Sequence, residues 1–129
     1  MAGYSETPQL RKLGIGPGVR LDVLDPDPGW SFDAEPDAVP TPSGPADVVV
    51  AFTRTPAQLQ RAIQSQGDRI RPAGALWIAW PRKAAGHMSE VTENLIRDLA
   101  LPTGLVDVKV AAIDHDWSGL KLVWRKELR

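Results

Sequence analysis

The segment ADVVVAF at residues 46–52 carries a continuous apolar run, and the segment ALWIAW at residues 75–80 is a second one. Such runs are typical of strands that are covered on both faces, as in the centre of a parallel sheet. Between them, Thr55 and Pro56 have the residue types of an N-cap and a first helical position, and apolar residues recur at helical spacing as far as Ile70. A strand, a helix and a strand in this order predict a right-handed parallel crossover.

The residues before this strand–helix–strand unit indicate a first strand and a short helix. Residues 18–25 alternate apolar and polar side chains, the pattern of a strand with one buried face. Ahead of that strand, after a polar tail, Thr7 is a predicted N-cap with Pro8 at the first helical position and Gly14 at the helix end.

The residues after the strand–helix–strand unit indicate another helix and a hairpin. Ser89 is the predicted N-cap of a helix that ends before Pro102. Two strands, at residues 105–114 and 120–126, flank a short turn at residues 115–119 and should pair in the antiparallel sense. We therefore expect one open, mixed α/β sheet with a parallel centre and a C-terminal antiparallel hairpin.

A proline-rich loop is expected at residues 26–45, inserted directly after the first strand. It holds six of the 12 prolines, together with Trp30 and Phe32. Proline removes a backbone donor and fixes φ, so this density excludes a regular helix or a central strand. Because aromatic side chains favour burial, we expect Trp30 and Phe32 to pin the loop to the body of the domain.

The length and composition fit a single α/β domain over residues 1–129. Fifteen Lys plus Arg against 16 Asp plus Glu leave no general attraction to nucleic acid or to an anionic membrane. The chain has no cysteine, which excludes a disulfide framework and a thiolate metal site. No apolar run reaches the length of a membrane span, and the N-terminal segment lacks the apolar core of a signal peptide, so we expect a cytoplasmic protein.

The segment LGIGPGVRLDV at residues 13–23 resembles the lead-in to the first strand of class I S-adenosylmethionine-dependent methyltransferases. The order of the later elements, which is strand, helix, strand, helix and an antiparallel pair, is similar to the C-terminal half of that fold. The resemblance implies a Rossmann-like, truncated methyltransferase-like sheet. It also implies that S-adenosylmethionine would be the cofactor if the chain binds one.

Three other segments carry a second resemblance: GALWIAWPRK at residues 74–83, GLVDVKV at residues 104–110 and DWSGLKLV at residues 116–123. In these segments, and over nearly its whole length, the chain is similar to an uncharacterised, mainly actinobacterial family, the domain of unknown function 3052. That family has no established activity. The resemblance therefore supports the fold and implies no catalytic residues.

The turn after the first strand departs from the methyltransferase pattern. In that superfamily the turn is glycine-rich, so that its backbone approaches the cofactor, and a following strand ends in an acidic residue that binds ribose. Here the turn is DPDPGW at residues 25–30, with two prolines, one glycine and two carboxylates. Because the prolines remove two backbone donors, the turn disfavours S-adenosylmethionine in the standard mode, and the loop replaces the second and third strands of the usual fold.

Charged residues follow three strands whose carboxyl ends should meet at one edge of the sheet, where open parallel sheets bind ligands. The candidate binding residues are Asp25, Asp27, Arg54, Arg82 and Lys83, with Trp30 on the loop as a lid or stacking platform. One interpretation is a pocket for a small anionic ligand that the cations bind. The other is that the cations pair with Asp25, Asp27 and Asp33 and hold the loop in place.

A histidine in the hairpin turn invites a catalytic or metal-binding interpretation. His115 lies between Asp114 and Asp116 and just before Ser118. A nucleophilic triad needs groups that converge from distant parts of the chain, which neighbours in one turn do not provide. The other histidine, His87, lies in a different loop, so no metal-ligand spacing is formed. We predict turn chemistry here, with no catalytic residue and no metal site.

The tryptophans are expected to pack rather than to form a cage. Trp77 and Trp80 have an odd separation on one strand and should face opposite sides of the sheet. Trp124, in the alternating last strand, should be packed. Trp117, in the predicted turn, should be exposed and is a candidate contact of a homodimer formed through the C-terminal hairpin.

These observations favour a non-catalytic interaction or small-ligand-binding module derived from a methyltransferase-like fold. The alternative is an enzyme: a divergent S-adenosylmethionine-dependent transferase, or one that processes an acidic ligand, working at the edge that carries Arg54, Arg82 and Lys83. The missing glycine-rich turn favours the first hypothesis.

Overall fold

The computed structural model describes residues 7–129, so most of the predicted N-terminal tail lies outside the described residues. In this part of the chain the helices are α1 (Gln9–Leu13), α2 (Pro56–Gln66) and α3 (Glu93–Ala100). The strands are β1 (Arg20–Leu24), β2 (Val39–Pro40), β3 (Val48–Phe52), β4 (Ala75–Pro81), β5 (Leu105–Ala112) and β6 (Trp117–Trp124). No helix among residues 7–129 is long and apolar enough to cross a membrane.

All six strands form one sheet in the order β2-β1-β3-β4-β6-β5. The pairs β2-β1, β1-β3 and β3-β4 are parallel, whereas β6 is antiparallel to both β4 and β5. Every residue of β3 and of β4 is buried, as their apolar runs predict. The predicted fold, an open mixed sheet with a parallel centre and a C-terminal antiparallel hairpin, is confirmed.

The sheet separates two apolar cores. On one face, α2 and α3 pack through residues such as Leu59 and Ile96, and Trp80 belongs to this core. On the other face, α1 and the aromatic residues of the proline-rich loop pack on a second core that includes Trp77. Trp77 and Trp80 therefore face opposite sides of the sheet, as predicted.

The proline-rich loop contains an edge strand that the sequence did not predict. Val39 and Pro40 pair in parallel with Arg20 and Leu21. The backbone N–H of Val39 donates to the carbonyl of Val19 at 2.7 Å, and that of Thr41 donates to the carbonyl of Leu21 at 2.8 Å. Proline is tolerated here because alternate N–H groups of an edge strand point away from the sheet.

The predicted cap of α2 is confirmed, and that of α3 is wrong. The Thr55 hydroxyl accepts from the backbone N–H of Gln58 at 3.1 Å, and the side-chain oxygen of Gln58 accepts from the Thr55 N–H. These two bonds form a capping box. The N-cap of α3 is Thr92, three residues after the predicted Ser89. Ser89 instead accepts from the N–H of Val91, which is buried in the core before the helix begins.

The short first helix also begins one residue later than predicted. Pro8 occupies the N-cap position and not the first helical one, and no side chain caps this helix. The end of α1 is as predicted, because Gly14 has a φ of 77°, which favours glycine.

The hairpin turns earlier than predicted. Strand β6 begins at Trp117, so Trp117 and Gly119 lie in the sheet rather than in the turn. Gly119 is required there because a Cβ on it would lie 2.9 Å from Ile113 and 3.1 Å from Trp77. Trp117 is 4% exposed, so the prediction of an exposed Trp117 as a dimer contact is wrong. Trp124 is packed, as predicted.

Candidate functional site

The predicted binding residues lie at one edge of the sheet but line three separate cavities. Strands β1, β3 and β4 are parallel neighbours, so their carboxyl ends meet there as expected. Asp27, Trp30 and Arg54 line a cavity of about 320 Å³, called here the crevice. Arg82 and Lys83 line an adjacent cavity of about 520 Å³ at the end of β4, called here the β4 cavity. Asp25 lines a third, of about 500 Å³, beside α2.

An ion pair joins the loop to the end of β3 inside the crevice. Arg54 Nη2 lies 2.6 Å from Asp27 Oδ2, and the Arg54 guanidinium carbon lies 4.9 Å from the centre of the Trp117 ring. About half of each charged side chain is exposed, so the pair adds little to stability. Its consequence is positional, because it places the loop across the carboxyl end of β3. Of the two interpretations of this edge, Arg54 and Asp27 thus show the second, in which a cation pairs with a carboxylate of the loop.

Trp30 fixes the same loop through its ring and its indole N–H. The ring lies edge-on to Phe32 and to Phe52 at centroid distances of 4.8 and 4.7 Å. The indole N–H donates to Asp114 Oδ2 at 2.8 Å. Phe52 in turn meets Trp117 edge-on at 4.8 Å. A row of four aromatic rings therefore crosses the end of β3, and the predicted pinning of the loop is confirmed.

The segment between β1 and Trp30 folds into a turn that is closed on itself. Asp25 leaves β1 with a φ of 56°, a left-handed conformation that is uncommon outside glycine. The N–H of Trp30 then donates to the carbonyl of Asp27 at 2.9 Å. Pro28 and Gly29, with a φ of 82° at Gly29, have the residue types and geometry of a type II turn. The proline nitrogens in this segment have no N–H to offer a ligand.

The carboxylate of Asp114 organises the hairpin turn. One oxygen accepts the Trp30 indole N–H, and the other accepts the backbone N–H groups of Asp116 and Trp117 at 2.8 and 2.9 Å. This is the turn chemistry predicted for the cluster around His115. Among residues 7–129, no group of three histidine or acidic side chains could hold a metal ion.

His87 is a site residue that the sequence did not reveal. Its Nε2 lies 2.9 Å from Asp116 Oδ1, and both residues line the crevice. The hydrogen bond with His87 lowers the pKa of Asp116, and this carboxylate is therefore ionised over a wider pH range than a free one. The two residues are 29 positions apart, and the pairing of Pro81 with Trp117 and the bond from the Arg82 N–H to the Asp116 carbonyl bring their segments together. No motif spacing in the sequence could have indicated it.

No protein-family model matches the chain, and no curated protein is significantly similar to it in sequence. Solved structures share its fold. Fibrillarin from Aeropyrum pernix, in complex with natively bound S-adenosyl-L-methionine, has a TM-score of 0.58 and 16% identity over 94% of this chain and 70% of that one. The Methanococcus jannaschii fibrillarin pre-rRNA processing protein has a TM-score of 0.61 and 12% identity over 95% and 70%.

A third similar structure is that of a LepI variant in complex with SAH and a substrate analogue. It has a TM-score of 0.54 and 13% identity over 90% of this chain and 39% of that one. At these identities the likeness concerns the fold alone. The mixed sheet of this protein is a methyltransferase-like Rossmann fold.

Proposed function

We propose that this protein is a non-catalytic binding module built on a methyltransferase-like fold. The observation that carries the proposal is the closed turn after β1, which Arg54 and Asp114 hold across the carboxyl end of β3. In open α/β sheets this edge is the usual ligand site. A cofactor that approaches the backbone needs N–H donors and space there. Pro26 and Pro28 supply no N–H, and the Trp30 ring packs directly on Phe52.

The proposed ligand is a small anion at the edge that carries Arg54, Arg82 and Lys83. Arg54 offers a planar fork that can exchange a carboxylate partner for another oxyanion. Lys83 is exposed and forms no ion pair within the described part of the chain. An anion in the crevice would therefore compete with Asp27 at Arg54, and an anion in the β4 cavity would neutralise Lys83.

A divergent S-adenosylmethionine-dependent transferase is the second candidate. It is favoured by one observation, namely that similar structures hold S-adenosyl-L-methionine or SAH while sharing the fold over at least 90% of this chain. For this chain to bind the cofactor at the same edge, the loop would have to release the contacts between Trp30 and Phe52 and between Asp27 and Arg54.

Thermal unfolding with added cofactor separates the two candidates. A ligand at about 100 times its Kd adds about 2.7 kcal/mol to the free energy of unfolding, which raises the Tm of a domain of this size by roughly 10 °C. We expect no change in Tm with S-adenosylmethionine or S-adenosylhomocysteine. A rise that disappears in Asp25→Ala, but persists in the loop control Asp37→Ala, would support the transferase and contradict the binding module.

We also propose a homodimer through the C-terminal hairpin. With Trp117 buried, the surface that supports it is the edge strand β5, where Val108 and Val110 are 55% and 48% exposed. Lys109 lies between them, and its ammonium donates to the carbonyl of Lys12 on α1. An unpaired edge strand with apolar side chains favours pairing with another chain.

Light scattering after size exclusion tests the dimer. We expect twice the 14.0 kDa mass of the chain. Val110→Lys should give a monomer, because it places a charge in the new interface. The matched control is Val39→Lys, since Val39 is also 48% exposed but lies on the opposite edge strand. A wild-type protein of single-chain mass would rule out the dimer.

We also propose a family and a cellular location, and both proposals rest on the sequence. Membership of the domain of unknown function 3052 is supported by the segments at residues 74–83, 104–110 and 116–123. A cytoplasmic location is supported by the absence of cysteine, since a chain without disulfides needs no oxidising compartment.

A further inference from the structure

The β4 cavity combines an apolar floor with a basic rim. Trp80, Pro81 and Val91 are buried and form the floor, while Met88 is 95% exposed at the mouth. Its volume of about 520 Å³ lies within the range of small-molecule sites, roughly 300 to 1,000 Å³. The cavity is thus large enough for a ring-sized apolar group and is not lined by polar side chains alone.

The charge around this cavity is positive. Arg82 and Lys83 line it, and the Arg82 guanidinium donates to the carbonyl of His115 at 3.2 Å. The one carboxylate in the lining belongs to Glu93, which pairs with Arg97 at 3.0 Å. His87, also in the lining, is bound to Asp116. The lining thus holds two cations against one carboxylate, whose partner Arg97 is shared with Asp107, whereas Lys83 forms no ion pair within residues 7–129.

Trp80 adds a hydrogen-bond donor to the floor. The indole N–H groups of Trp30, Trp77 and Trp124 donate to Asp114, Leu13 and Gly67, respectively. Among residues 7–129, that of Trp80 has no such partner, although the residue is only 8% exposed. No fully buried side-chain nitrogen in this part of the chain lacks a partner, so the Trp80 N–H must reach open space. Trp80 lines the β4 cavity.

From these three features we infer that the β4 cavity binds a small organic oxyanion with an apolar ring, a carboxylate or a phosphate monoester. The ring lies against Trp80, Pro81 and Val91. The oxyanion lies between Lys83 and Arg82 and accepts the Trp80 indole N–H. This inference rests on the proposed binding module and names the class of its ligand.

The test is an NMR titration of the whole chain with phenyl phosphate and with benzoate. Inorganic phosphate and phenol are the control probes, because each carries only half of the required chemistry. We expect one of the two oxyanions to bind at least about tenfold more tightly than either control and to shift the indole N–H resonance of Trp80. That resonance is assigned by its loss in Trp80→Phe. Which of the two binds more tightly distinguishes a phosphate ester from a carboxylate.

Charge reversal at the rim completes the test. Lys83→Glu should weaken binding of the preferred probe by about tenfold or more, whereas Lys126→Glu, at an exposed lysine outside the cavity, should leave it unchanged. Equal binding of all four probes, no binding of either oxyanion, or equal effects of the two variants would overturn the inference. If one of these results overturns the inference, the S-adenosylmethionine measurement tests the proposed function separately. The binding module stands if S-adenosylmethionine does not bind. It fails together with the inference if S-adenosylmethionine binds in a way that requires Asp25.

Discussion

Replacing Trp77 by alanine should lower the free energy of unfolding by about 4 kcal/mol, the usual range for a buried tryptophan being about 3 to 5 kcal/mol. Trp77 is fully buried at the centre of β4. Its indole N–H donates to the carbonyl of Leu13 at 3.1 Å, so the substitution also removes a bond that holds α1 on the sheet. Because a helix of five residues is not stable alone, α1 should detach at the same time.

Urea unfolding followed by circular dichroism measures this loss. Trp77→Phe keeps an aromatic ring in the core and should cost clearly less than alanine. Met88→Ala is the surface control, since Met88 is 95% exposed and should change stability by less than about 0.5 kcal/mol. A cost for Trp77→Ala close to that of the control would mean that α1 and this face of the sheet are not packed as described.

The sheet could be predicted because the residues of its central strands indicate burial on both faces. An apolar run at β3 and another at β4 need cover on both faces, and the odd separation of Trp77 and Trp80 places one indole in each core. The start of α3 is not specified by residue type alone, because Ser89 and Thr92 are both good N-cap residues. The structure uses Thr92, since Val91 enters the core before α3 starts.

The candidate site could be predicted only as an edge of the sheet. The strand ends place Asp25, Asp27, Arg54 and Lys83 there, but strand order does not determine where each side chain points. The left-handed backbone at Asp25 turns this residue toward α2, and Asp27, two positions later, meets Arg54 in the crevice. The contact of His87 with Asp116 depends on the strand register between β4 and β6, which no local pattern specifies.

Arg69 is the second residue at which a large effect is expected, and the sequence gives no hint of it. Its guanidinium donates to Asp22 at 2.7 Å, to the Gln66 side chain at 2.8 Å, and to the carbonyls of Thr41 and Gly44 at 2.9 and 2.8 Å. The side chains of Arg69 and Asp22 are only 15% and 13% exposed. One arginine thus fastens the end of the proline-rich loop to both β1 and α2.

Arg69→Ala should therefore lower the free energy of unfolding by about 3 kcal/mol, because it leaves Asp22 charged, nearly buried and without its partner. Arg69→Lys keeps the charge but loses the planar fork, so it should recover only part of the loss. The double variant Arg69→Met with Asp22→Leu removes both charges and should be more stable than Arg69→Ala. Denaturant unfolding gives the three energies, and hydrogen exchange at the N–H groups of Val39 and Thr41 reports whether the loop detaches. If Arg69→Ala costs less than about 1 kcal/mol and these amides stay protected, the loop is held by its aromatic residues alone, and the closed turn after β1 does not depend on this anchor.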